Sequence, residues 1–571
     1  MSMKKEVMFL LLIFMFVVMF SGLGLAAVTY YVDDDNSGLI LVNLYNASAD
    51  LIGVLGYKTI QSAIDAASVG DIINVSAGTY VEDLTIISKN NLEIVGAGAS
   101  ITTIKGIATE TWGNWPLADP NIDIRANATK IHGFSIESPD VPDGSYSSGI
   151  VLTGRNIGIY DNKFLLKAVG DGGNVVIQTY HYIAVPTSDI SNLDIHDNII
   201  MVDASFTSTQ GYEGIYINPT AIGSGFVEIS NNKFYGYVFS AVSVERSKVK
   251  VRNNTINSNA SQGNYGVRFV DYIGGQTYNN VLISGNNIQK VQRGIRVGTT
   301  SDVNSNLIAA IEKNTLTNND VGIWVKYGAY LTDSVHYNNI FGNTNYGIDN
   351  SLGERDVNAE YNYWGACDGP SGVGPGGGDA ITTDVTYTPW LGVCITNKTD
   401  ITCGYEKDNI TLSAILNGIE MDKVWIWTLI NNTQKNYTAS KVGNKYSATI
   451  PSTDLIGGQN VIWNVYVNDS LNTYNNSLKT FYVRRRTLLT VNPTPPNGLN
   501  NWYVTEPLFT LTNPDASKIW YRWDSTGPIN YTGPFALENI PNPPNVSAGT
   551  LELNYWGNLT CRIEPEQSQM F

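Results

Sequence analysis

Asp161 and Asp197 occupy the same place in two similar segments, IYDNKF and IHDNII, each directly before an asparagine. Breaking a glycosidic bond takes two carboxylates about 5 to 9 Å apart, one to give a proton and one to attack or to activate water. If the two segments stack, the aspartates fall within that range. An Asp before an Asn is also an ordinary way to make a turn. A second constellation lies two residues after a small residue in a recurring Gly-apolar-x-apolar segment. Those positions read Tyr216, Ser243, Arg268, Arg296, Trp324 and Asp349. Two arginines one repeat apart would bracket a sugar carboxylate, and the aromatics would stack on sugar rings. Uronate lyases use such cations together with a base, which makes Arg268 and Arg296 catalytic as well as binding candidates. Trp112 and Trp115, in the insertion ATETWGNWPLADP, suit a sugar platform equally. Asp33, Asp34 and Asp35, or Asp171, offer the clustered hard oxygens that calcium prefers.

These residues can act together only if the chain repeats in space. A six-residue pattern, aliphatic-x-x-Asn-x-apolar, recurs at Asn162, Asn198, Asn232, Asn254, Asn286, Asn314 and Asn338, with a degenerate copy at Asn362. Successive spacings of 36, 34, 22, 32, 28, 24 and 24 are too irregular for a helical repeat and suit coils with loops of variable length. The segments VRF, IRV and IWV alternate with period two, which predicts short strands with one face buried and the column Tyr216 to Asp349 facing solvent. Coils stacked at about 4.8 Å would set each strand beside its equivalent and form long parallel sheets. The asparagines would then align, each amide accepting from one coil and donating to the next. Ahead of the coils, Thr59 to Ala67 places Ile60, Ala63, Ile64 and Ala67 at helical spacing, predicting a short helix that covers the open end of the stack.

The flanks differ in composition. Lys4 and Lys5, an apolar run from Val7 to Phe20 and the small residues Gly24, Ala26 and Ala27 have the layout of a secretory signal peptide over residues 1–27, and no later segment could span a membrane. The formal charge of -16 becomes more negative when that leader is removed, which excludes nucleic acid as a partner. Cys367, Cys394, Cys403 and Cys561 allow three disulfide pairings; Cys367 with Cys394 would staple the end of the repeat region. Fourteen Asn-x-Ser/Thr sequons occur, nine of them from Asn397 onward, which fits a glycosylated C-terminal stalk. After residue 393 the Asn pattern stops, and KVWIWTLI and VIWNVYV alternate as sandwich strands do. Arg484, Arg485, Arg486 and the proline-rich NPTPPNG mark a further boundary.

The segment YKTIQSAIDAASVGDIINVSAGTYVEDLTI resembles the entry segment of pectin-lyase-like β-helix proteins. The later coils, ending in YNYWGACDGPSGVGPGGGDAITTDVTYTPWL, are similar to NosD-type β-helix proteins of archaeal cell surfaces. NNWYVTEPLFTLTNPDASKIWYRWDSTGPINYTGPF resembles a chitobiase C-terminal-like sandwich. The expected fold is therefore all-β: a right-handed parallel β-helix over 28–393, then two Ig-like β-sandwiches over 394–486 and 487–571. The resemblance implies a secreted or cell-surface protein whose partners are extracellular polysaccharide or cell-envelope glycans. The motifs that carry catalysis in pectin methylesterases and polygalacturonases do not appear, so the leading expectation is a non-catalytic binding or adhesion protein with no certain cofactor. A polysaccharide lyase or glycoside hydrolase, and a purely structural envelope component, are the alternatives.

Overall fold

The computed structural model describes residues 27–34, 44–45, 51–52, 56–107, 118–138, 146–166, 174–179, 189–202, 212–218, 224–236, 239–258, 265–299, 304–331, 335–498, 503–539, 550–559, 561 and 563–571. Residues 1–26 of the proposed leader, Trp112, Trp115, Asp35 and Asp171 lie outside these. The chain divides into two compact units, Met1–Leu391 and Gly392–Phe571.

In the first unit, the described strands form three parallel sheets of 13, 12 and 10 strands, and in each the neighbours come from successive passes of the chain. Each pass lays one strand in each sheet, so the unit is a right-handed parallel β-helix, as the Asn spacing predicts. Period-two alternation turns one set of side chains inward. In the third sheet Phe164, Ile200, Phe234, Ile256, Ile288, Leu316 and Ile340 stand in register and are essentially inaccessible to solvent. A single coil buries Val227, Ile229, Phe234, Val242 and Val244 at 1% exposure or less. At about 1.5–3 kcal/mol per buried side chain, these five contribute on the order of 10 kcal/mol of gross apolar burial, one part of what offsets the ordering of the coil.

The recurring asparagines form the ladder their spacing implies. In each of the seven steps from Asn162 to Asn362, one asparagine's backbone N–H donates to the next one's Oδ1 at 2.7–3.1 Å. Their Nδ2 groups donate to the same Oδ1 atoms and to carbonyls of the preceding coil, such as Ile229 and Val251. The amide donates from Nδ2, which bonds two acceptors, while Oδ1 accepts two more bonds; an ionised Asp has no donor, and the single O–H of Ser cannot make both donations. The residue before each rung is left-handed, with φ of 53° at Asp161, 55° at Asp197 and 66° at Gly285. Asp and Asn tolerate that conformation better than most residues.

Helix α1 (Ile60–Ala66) packs Ile60, Ala63 and Ile64 against the first coil, and its N-cap Thr59 accepts from Ser62 N. A strand already lies ahead of it in the chain. Thr29–Val32 pairs with Ile72–Val75 in the first sheet, so the stack starts earlier than the helix.

The second unit contains a four-stranded sheet and a six-stranded sheet whose inward residues, among them Leu412, Ile426, Trp463 and Phe481, share one apolar cluster. A further cluster around Phe509, Trp523 and Leu553 belongs to a two-stranded and a four-stranded sheet. Cys403 is bonded to Cys561 within this unit, and Cys367 and Cys394 are also in disulfide form, so no cysteine is free.

Candidate functional site

The column read from the sequence exists. It runs along the second sheet on strands β1 (Tyr212–Ile217), β2 (Ser240–Val244), β3 (Tyr265–Phe269), β4 (Arg293–Val297), β5 (Val321–Val325) and β6 (Tyr346–Asp349). Strand register pairs Tyr216 with Ser243, Ser243 with Arg268, Arg268 with Arg296, Arg296 with Trp324, and Trp324 with Asp349. Inward neighbours such as Ile215, Val267 and Ile295 have no solvent exposure, which fixes the column on the outer side of the sheet.

The expectation that this outer side faces solvent is corrected. Tyr216, Ser243, Arg268 and Arg296 are buried at 0–4% exposure. Side chains that lie outside the Gly-apolar-x-apolar pattern close over them. Phe239, Tyr265 and Tyr272 set their rings 5.0–5.7 Å from the Arg268 guanidinium. Trp324, half-buried, is the first member of the column to reach the surface, and Asp349 uses its carboxylate to accept from Ser351 N.

A second aligned column, three residues earlier on the same strands, reads Glu213, Ser240, Tyr265, Arg293, Val321 and Tyr346. Together the two columns sort charge along the fibre axis. At the β1–β3 end, buried Glu213 forms an ion pair with Arg268, whose Nε also donates to Ser243 Oγ at 3.0 Å. Glu245, just past β2, accepts from the Tyr216 hydroxyl at 3.2 Å. Burial, and after it the charge of Glu213, pushes the Glu245 carboxyl up to about 8. Burial likewise raises Glu213, opposed by Arg268, and raises Tyr216 with help from Glu245. Arg268 is thus a neutralised structural cation, which removes it as a free binding or catalytic group.

The β4–β5 end is different. Three cations surround Trp324: Arg293 at 4.6 Å from the ring centroid, Arg296 at 5.6 Å and Lys326 at 4.7 Å. Among the described residues none of them has a carboxylate partner within 4 Å. Arg296 is only 4% exposed, its two hydrogen bonds, to Tyr265 Oη and Gly298 O, are both at the long limit of 3.4 Å, and its Nε has no acceptor. Burial, then the neighbouring Arg296 and Arg293, pushes the Lys326 ammonium down. Such a cluster is unusual in a chain of net charge -16. Its chemistry is that of an anion receptor with an aromatic wall.

The remaining candidates fall elsewhere. Asp161 and Asp197 occupy the left-handed turns before the Asn ladder, and Asp197 pairs with His196 at 2.7 Å. They lie between strands of the first and third sheets, whereas the arginines are on the second, and they serve the turn reading. Asp34 accepts from Thr79 N at 2.9 Å, and a Cβ at Gly78 would come within 2.5 Å of its carboxylate. Among the described residues no group of three or more His, Cys, Asp or Glu could hold a metal ion. Glu213, Glu245, Arg293 and Lys326 were not visible as candidates because they flank the repeating motif instead of sitting in it. The signal that could have found them is the same strand register applied three residues earlier and two residues later.

Residues 196–365 match a family described as a protein of unknown function (DUF1565). The repeat region is a right-handed parallel β-helix. No curated protein matches the sequence. Solved structures similar to this β-helix include a pectin methylesterase from carrot, 12% identical over 52% of this chain and 84% of that one, with a TM-score of 0.29. Pectin methylesterase PemA from Erwinia chrysanthemi is 13% identical over 54% and 81%, at 0.20. At these scores the likeness carries no argument about activity.

Proposed function

We propose that this is an exported surface protein that binds extracellular glycan along the second sheet of its β-helix, without catalysing a reaction, and that the sheets after residue 391 serve as a spacer. The observation that carries this reading is the half-buried Trp324 ringed by Arg293, Arg296 and Lys326, none of which is neutralised by a described carboxylate. At Arg268 the fold sets a carboxylate beside a buried cation, and at Lys398 it supplies short bonds to Asn464 Oδ1 and Asn476 Oδ1 at 2.6 Å, whereas Arg296 has only two hydrogen bonds at 3.4 Å. Unpaired cations clustered on an aromatic ring are costly to keep unless something outside the protein pairs them.

The rigid stack also suits a long polymer. Equivalent positions recur at the strand spacing, so a chain of sugars laid along the sheet would cross one aligned position per coil, with Trp324 the member of the column that reaches the surface. Four cysteines all in disulfides agree with an oxidising compartment. The test is binding of the full chain to a panel of neutral and acidic polysaccharides by affinity electrophoresis. Retardation by at least one polymer supports the proposal. Unretarded migration with every member, at matched ionic strength, overturns it.

A further inference from the structure

We infer that Asn436 and Asn530 carry N-linked sugars and that the first sugar of each lies against the tryptophan facing it, Trp427 and Trp520. The surface so covered is the outer side of two sheets in the second unit, and it is independent of the site on the β-helix.

Both sheets leave aromatic rings on the side that their cores do not use. Strands β7 (Lys423–Ile430) and β8 (Thr433–Thr438) are neighbours in the six-stranded sheet. Val424, Ile426 and Ile430 of β7 belong to the apolar cluster, so Trp425 and Trp427 point outward. Tyr466 of β9 (Gln459–Asn468) stacks on Trp425 with centroids 5.6 Å apart and meets Trp427 at 6.4 Å and 69°. In the four-stranded sheet, β10 (Lys518–Trp523) buries Tyr521 and Trp523 and turns Trp520 out, in register with Trp556. All five outer rings are half-buried, which leaves aromatic surface for something else to cover.

The same three residues, Asn-Tyr-Thr, lie beside each patch, at 436–438 on β8 and from 530 to 532 on and after β11 (Ile529–Asn530). Register pairs Asn436 with Trp427 and Asn530 with Trp520. Cross-strand partners share a face with Cβ atoms about 5 Å apart, so a sugar joined to either Nδ2 starts out over the indole. In both triplets the Asn and the Thr are exposed while the Tyr turns to the other side. The Tyr437 hydroxyl donates to Asp454 Oδ2 at 2.7 Å, and Tyr531 packs on the core 6.2 Å from the Phe535 ring. Asn-x-Thr with both ends presented is the pattern that an N-glycosylating enzyme reads.

Each triplet also lies on an edge strand, open from the side, where a bulky sugar would keep other chains off the unpaired backbone. Attachment joins Nδ2 to the anomeric carbon of a glycosyl diphosphate donor. The diphosphate leaves with the bonding electron pair, and Nδ2 gives up one proton. The C–H face of the pyranose then packs on the indole. Asn431-Asn432-Thr433 provides a built-in control, because Asn431 sits in the turn before β8 with no ring in register.

The full chain is secreted from a host that attaches N-linked glycans, and occupancy is read from its glycopeptides by mass spectrometry. Thr438→Ala and Thr532→Ala abolish the two sequons while keeping the asparagines. Thr438→Ser and Thr532→Ser lose the same methyl group but keep the sequons, and Thr433→Ala removes the control. Asn436 and Asn530 are expected to be occupied in the parent chain and the serine variants and bare in the alanine variants. Loss of either sugar should lower the melting midpoint of the second unit by about 4 °C or more and make tryptophan fluorescence easier to quench with acrylamide. Thr433→Ala should change neither. Bare Asn436 and Asn530 in the parent chain overturn the inference, and occupancy of one alone overturns it for the other. A glycan whose removal leaves both melting and quenching unchanged overturns it as well, because that sugar does not touch the ring. Sedimentation of the parent chain as a dimer that Trp427→Ser disperses would give the face to a second copy instead.

Discussion

Replacing Asn286 by alanine removes one rung from the middle of the ladder. Its Oδ1 accepts from the backbone N–H of Asn254 and from Asn254 Nδ2, each at 3.0 Å, and its Nδ2 donates to Val251 O at 2.9 Å and Asn314 Oδ1 at 2.9 Å. All of this happens at about 1% exposure, out of reach of water. In the variant the Asn254 N–H is left with no acceptor, at about 1–3 kcal/mol, and the other groups each lose one of their partners at about 1 kcal/mol or less. The sum is roughly 3–5 kcal/mol. Asn287→Ala, one residue further on and exposed, is the control and should cost under about 0.5 kcal/mol. Urea denaturation followed by far-ultraviolet circular dichroism gives the midpoint shift, and hydrogen exchange at the Asn254 amide reports the orphaned donor directly. A loss of 3 kcal/mol corresponds to exchange about a hundredfold faster. If the two variants share one midpoint and the Asn254 amide stays as protected as before, the ladder does not hold the coils together as described.

Other consequences are open to measurement. Because the Glu245 carboxyl is raised to about 8 in the folded chain, the native state binds that proton more tightly than the unfolded one. Its contribution is whole below about pH 4.5 and is lost as pH rises through about 8, by at most about 5 kcal/mol. Glu245→Gln should flatten that decline in thermal melts between pH 5 and 9; an unchanged slope would show that another group is responsible. The Cys403–Cys561 bond closes a loop with a sequence separation of 158, so Cys561→Ser should lower the stability of the second unit by up to about 5 kcal/mol and leave the β-helix transition where it was. Calorimetry resolves the two, and a β-helix transition that moves as well would contradict their independence. Thr59→Ala removes the cap of α1 and should cost about 1 kcal/mol, visible as faster proteolysis ahead of the first coil.

How far residues alone predict this molecule depends on whether a role repeats. The ladder was legible because the same amide chemistry is required in every coil, so Asn162 to Asn362 announce themselves through spacing alone. The column from Tyr216 to Asp349 was legible for a similar reason, since a small residue, glycine in five strands and Ala241 in the other, precedes each member by two positions. Burial of that column was not. It depends on Phe239 and Tyr272, which come from turns with no repeat, and on the Glu213 to Arg268 ion pair, which crosses from β1 to β3 without touching a sequence neighbour. The cationic site was half visible: Arg296 and Trp324 lie in the motif, whereas Arg293 and Lys326 flank it. A short second ladder escaped notice altogether. Asn319 donates its backbone N–H to Asn343 Oδ1 at 3.1 Å, and two rungs are too few to make a pattern.

A crystal structure of the full chain grown with an oligosaccharide of a polymer that it binds is the most direct test of glycan binding on the second sheet. The expected result is a sugar ring against Trp324 with a polar group within hydrogen-bond distance of at least one of Arg293, Arg296 and Lys326. Sugar seated at another place on the protein would contradict it.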